Sequence, residues 1–178
     1  MQCGRLLACC AALCAVAIAQ SASAQISADV QYCLSVAEAL SIIGPVAPLS
    51  IVHDGSANDQ PFSPSSWTCI NNDADGAIAT FTTLQAMTHQ VVPTVKRDVR
   101  LTLSVTSQDA GANWLTTVPT DPTDYANVIP DEIATVQAES TGPGDCVLEL
   151  NVEFLTGDLA TLIPGIYCTT ITATITPK

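Results

Sequence analysis

The sequence predicts an all-β protein, a single immunoglobulin-like antiparallel β-sandwich of about seven to nine strands. Three observations carry that expectation. Apolar and polar residues alternate with period 2 along several runs, the runs are rich in Thr, Val and Ile, and most of the 11 prolines and 9 glycines fall between them as turn residues.

Taken in order, Val30, Tyr32, Leu34 and Val36 alternate with Gln31, Cys33 and Ser35 as the first expected strand. Val36 to Ile43 has room for a helical turn or two before Gly44-Pro45 and Pro48 stop it. Ile78 to Leu84 forms a strand after the turn-like run Asn71-Asn72-Asp73-Ala74-Asp75-Gly76. Val99, Leu101, Leu103 and Val105 share one face of the next strand, and Ile133 to Ala138 follows. Val147 to Phe154 places Leu148, Leu150, Val152 and Phe154 on one face. The last strand, Ile166 to Thr176, turns Tyr167, Ile171, Ala173 and Ile175 one way and a row of threonines the other.

Residues 1–24 read as a signal peptide. Arg5 precedes an apolar run, Leu6 to Ala19, and Ala22-Ser23-Ala24 is a small-x-small site for cleavage before Gln25. The expected location is secreted, extracellular or at the cell surface, with the periplasm as the other compartment. No later stretch reaches the roughly 20 apolar residues a membrane span requires, so no membrane insertion is expected. Cleavage leaves residues 25–178, the size of one domain. Without Arg5, four of the 5 Lys and Arg remain against 17 Asp and Glu. A surface so acidic repels phosphate, which excludes nucleic acid as a partner.

Cysteines 3, 9, 10 and 14 leave with the signal, and Cys33, Cys69, Cys146 and Cys168 remain. Four cysteines in an exported chain, with no C-x-x-C spacing, read as two disulfides. Cys33 and Cys168 fall on the polar faces of the first and last strands, which lie side by side in such sandwiches. Cys146 shares its strand's apolar face, and Cys69 shares a face with Trp67. The favoured pairs are Cys33–Cys168 and Cys69–Cys146; the rival is Cys33–Cys69 with Cys146–Cys168.

The layout of a signal peptide, Val30 to Val36, His53-Asp54, Gln60-Pro61-Phe62, Trp67, Lys96 to Leu101 and a closing Pro164-Gly165-Ile166-Tyr167 before a Thr-rich strand resembles uncharacterised secreted bacterial β-sandwich proteins. The final strand is similar to those of fimbrial and spore-coat-type subunits, which implies a sandwich that polymerises by strand addition. Only Gln25 to Ala28 precede the first expected strand, which leaves no donor extension of the kind usher-type pilins carry.

No residue set names a reaction, and the chain is expected not to be an enzyme. Asn71, Asp73 and Asp75 match the first half of an oxygen-rich calcium loop, but Thr82 stands where a bidentate Glu belongs. Calcium is therefore the one ion weighed, against an Asx-rich turn. Asp121, Asp124, Asp131 and Glu132 read as a solvated acidic loop. His53 and His89, the only histidines, would serve a hydrolase only if one reached a nucleophile or a metal. Lys96, Arg97 and Arg100 gather nearly all the positive charge and form a candidate assembly patch, against local pairing to Asp98 or Asp109. Trp67 is expected in the core, and Trp114 is the better candidate for an exposed, glycan-stacking ring. The function expected is a secreted structural or adhesive cell-surface or matrix protein, self-assembling through strand or surface contacts. The alternative is an extracellular binding module for calcium or glycan.

Overall fold

The computed structural model describes residues 30–178, so the expected signal peptide lies outside the described residues. The chain divides into two units, residues 1–35 and Val36–Lys178. The second is all-β, as expected.

Its elements follow the chain: β1 Leu40–Ile43, β2 Gln60–Pro61, β3 Ser65–Asn71, β4 Ala77–Thr83, β5 Met87–His89, β6 Lys96–Arg97 and β7 Val99–Gln108. Then come β8 Leu115–Val118, β9 Thr120–Pro122, β10 Thr135–Glu139, β11 Cys146–Phe154, a 3-10 turn at Leu159–Thr161, β12 Tyr167–Cys168 and β13 Ile171–Pro177. Thirteen strand segments among the described residues exceed the expected seven to nine. The surplus is in pieces of two or three residues, too short to show a period.

One sheet has the order β1-β3-β11-β7-β9, with β2 also on β11. A second runs β13-β4-β10-β8, and a small third runs β12-β5-β6. All pairings are antiparallel. The core is built by alternation: Ala77, Ala79, Phe81 and Thr83 of β4 are buried, as are Val99, Leu101 and Leu103 of β7 and Cys146, Leu148, Leu150 and Phe154 of β11. Trp67 on β3 meets Phe81 on β4 edge to face with centroids 5.1 Å apart, which joins the two larger sheets at their centre.

The structure corrects three expectations. Residues 30–39 form no strand, and Val30, Tyr32, Leu34 and Val36 are exposed. The first strand is β1, whose Leu40 and Ile42 pack on the core and which lies where a helical turn was expected. The Asn72 side chain fixes its start, accepting from Ala39 N–H and donating to the Ala37 carbonyl. The run Ile166 to Thr176 is broken in two: Thr169 turns its hydroxyl to the Gln85 carbonyl, so β12 joins the third sheet and only β13 pairs with β4. Along β13 the expected faces hold, with Ile171, Ala173 and Ile175 half-buried and Thr172, Thr174 and Thr176 exposed.

The four described cysteines are thiols in this structure. Cys33 lies on no strand and Cys168 on a different sheet from β13, so neither premise of the Cys33–Cys168 pair within one chain survives. Cys69 and Cys146 are direct cross-strand partners in the register of β3 on β11, both buried.

Replacing Phe81 by Ala should remove the inter-sheet ring contact and leave a cavity, lowering stability by about 3–5 kcal/mol. The check is a denaturant midpoint that falls with an unchanged slope. A loss below about 1 kcal/mol would contradict this account of the core.

Candidate functional site

An apolar groove of about 680 Å³ lies between the segment running from Leu49 to Gly55 and the segment running from Leu159 to Cys168. Prolines and glycines place both walls: Pro45 and Pro48 carry the chain away from β1, and Pro164-Gly165 returns it to β12. The floor is Phe62, Met87, Phe154 and Tyr167. Beneath it four rings form an edge-to-face chain, His53 to Phe154 at 5.9 Å, Phe154 to Tyr167 at 5.5 Å and Tyr167 to His89 at 5.0 Å. Gly165 is required there, because a Cβ would overlap the His89 imidazole.

The hydrogen-bonding groups around the groove are turned into the domain. His53 Nδ1 accepts from Gly55 N–H at 3.0 Å, so its proton sits on Nε2 and is donated to Thr156 Oγ1 at 3.0 Å. Thr156, fully buried, donates in turn to the Asn58 carbonyl. Gln60 donates to Asp54 Oδ1 and the Asn58 carbonyl and accepts from Asp54 N–H. Tyr167 OH donates to the Ile163 carbonyl at 3.0 Å. Behind it, His89 Nδ1 accepts from Val91 and Val92 N–H while Nε2 donates to the Pro164 carbonyl.

The ring nitrogens of both histidines are thus occupied by bonds within the domain, and the one hydroxyl reached, Thr156 Oγ1, is fully buried and donates to the Asn58 carbonyl. What faces outward is apolar: Val52 is 93 % exposed and Ile166 64 %. No Asp, Glu, Lys or Arg lines the groove. Such a surface holds a neutral, apolar occupant.

The other expected site residues go elsewhere. Asn71 is buried; its Nδ2 donates to Ser140 Oγ and the Gly142 carbonyl, and its Oδ1 accepts from Asp73 N–H. Asp73 Oδ1 accepts from Asp75 N–H. These are consecutive Asx turns, with the Asn71 and Asp73 oxygens spent on backbone. No cluster of three or more His, Cys, Asp or Glu able to hold a metal occurs among the described residues. In the acidic loop Asp121 and Asp131 accept from Thr135 and Ile133 N–H, and Asp124 binds Asn127.

Lys96 pairs with Glu132 and Arg100 with Glu153, while Arg97 is buried and donates to Thr161 Oγ1 and the Lys96 carbonyl. Each of the three is thus bonded within the domain, to Glu132, Thr161 and Glu153 rather than to Asp98 or Asp109. Trp114, expected to be exposed, is 1 % exposed and donates through Nε1 to the Gly144 carbonyl. It cannot stack on a sugar. Sequence reasoning missed the groove because its residues lie in irregular segments, where no period marks them; the exposed run Leu49-Ser50-Ile51-Val52 was the one available signal.

The hydrogen bond with Cys69, and then burial, push the Cys146 thiol far up from its ordinary value. In the reduced native protein an alkylating reagent should modify Cys33 and Cys168 and spare Cys146 until the chain unfolds, as read by peptide mass spectrometry. Equal labelling of all four would contradict the packing.

Ser56, through its backbone N–H and its hydroxyl, holds Asp54 below its ordinary 3.8, with Gln60 and His53 adding to the effect. A lowered acid stabilises the folded turn above the unfolded value, and that contribution is lost as pH falls through the folded one. The Ser56 amide resonance should accordingly titrate with a midpoint below 3.8. A midpoint above that value would reject the bond. No protein-family model, curated protein or solved structure matches the chain.

Proposed function

We propose that this chain is an exported structural subunit of the cell surface or matrix, an immunoglobulin-like sandwich that assembles with copies of itself through its apolar groove. The observation that carries the reading is the groove's chemistry: a charge-free hollow, its main polar groups bonded inward, on a chain of net charge −12. Water-facing apolar surface of this kind is stabilised by a partner that covers it. The exposed apolar residues before β1 supply further surface of the same kind. Among the described residues no helix is long and apolar enough to cross a membrane.

In an oxidising compartment Cys69 and Cys146 are a bridged pair in this reading. Direct antiparallel partners have Cα atoms about 4.5–5.5 Å apart, within the span a disulfide accepts.

Light scattering of the full chain under reducing conditions tests the assembly. Mass should rise reversibly with concentration, and more so at higher salt, because screening reduces repulsion between acidic copies while apolar contact persists. Ile166→Asp, which puts a charge at an exposed rim position, should weaken association at least about tenfold, near 1.4 kcal/mol. A chain that stays monomeric to its solubility limit overturns the reading.

A further inference from the structure

Two exposed thiols sit on complementary surfaces. Cys33 lies in residues 30–36, which contain no Asp, Glu, Lys or Arg, and the chain leaves Tyr32 and Leu34 each 90 % exposed. Cys168 belongs to β12 on the groove wall and is held there by a hydrogen bond from Gln90 Nε2 at 3.2 Å. β12 is the edge of its sheet, paired only with β5.

An extended segment laid along that edge alternates its side chains between two faces. With Cys33 opposite Cys168, Tyr32 and Leu34 fall on the face of Tyr167, which is the groove floor. The alternation that makes residues 30–36 read as a strand is then used between molecules, apolar segment against apolar groove, neither carrying charge.

We propose that residues 30–36 of one copy add to β12 of a second copy, seating Tyr32 and Leu34 in its groove and joining Cys33 to Cys168 by an intermolecular disulfide. This rests on the self-assembly reading and names its partner surface and its covalent lock. Two S–H bonds break and one S–S bond forms. The two electrons and two protons pass to a small-molecule or protein disulfide, whose own S–S bond breaks to give two thiols. Because each copy has one Cys33 and one Cys168, the contact joins two different surfaces, and it either closes by reciprocal exchange or runs on from copy to copy.

The test mixes equal amounts of unlabelled and nitrogen-15 full chain, reduced, and oxidises the mixture with glutathione disulfide before non-reducing peptide mapping. The expected result is a Cys33–Cys168 peptide with about half its signal pairing a light with a heavy partner, as random exchange between copies gives. A Cys33–Cys168 peptide containing only light–light and heavy–heavy forms places the bridge within one chain and overturns the proposal, and so does absence of that peptide.

Leu34→Asp should lower the mixed product about tenfold, since it puts a charge into an apolar seat. An unchanged yield would mean that the thiols meet at random, which overturns the seating. Scattering of the reduced chain separates the two readings: reversible association without the Cys33–Cys168 peptide leaves assembly standing and removes this lock, whereas a monomer throughout removes both.

Discussion

The register of β11 between β3 and β7 is the constraint from which the rest of this structure follows. Set against β7, it brings Leu150 opposite Leu103 and Phe154 opposite Val99, so one face of each strand closes the core. Set against β3, it brings Cys146 opposite Cys69 and Leu148 opposite Trp67. The same register carries Phe154 to the end of the sheet, where its ring becomes floor for the groove. A slip by one residue would turn every one of these side chains to the other face. The ladder tolerates one irregularity, at Val147/Leu148, where Thr106 stands extra on β7 and donates its hydroxyl to the Val147 carbonyl.

How much of this was legible in the sequence depended on whether a strand has one clean apolar face. β4, β7, β10 and β11 do, and their bounds lie within a few residues of the expected ones. β3 does not announce itself, because its inward positions include Ser65 and Asn71, which are buried but polar. Residues 30–36 misled in the opposite way: their alternation is complete, yet they form no strand in the chain alone. Periodicity reports a surface suited to pairing without naming the partner. Trp114 was misplaced because its Gly and Asn neighbours read as an exposed loop, when in fact Gln108 holds its backbone N–H and carbonyl and the Gly144 carbonyl accepts from its buried indole. The groove was hardest to foresee, being assembled from segments distant in sequence.

The acidic composition also takes on a different meaning once side chains are placed. Many carboxylates cap backbone N–H groups, as Asp54 does for Ser56, Asp98 for Tyr125 and Asp145 for Asn71. All four basic side chains among the described residues are engaged within the domain, Lys178 with Glu139 included. Among the described residues no basic side chain is therefore left without a partner inside the domain.

Gly165 has an implication for how the groove can change over time. Lining positions such as Ile51, Val52, Leu162 and Ile163 carry aliphatic side chains that can be exchanged for others of similar volume. Position 165 has no such latitude: any side chain there pushes against His89, whose Nδ1 holds the Val91 and Val92 amides at the turn between β5 and β6. The shape of the hollow is therefore open to gradual drift along its walls and fixed at one hinge of its floor.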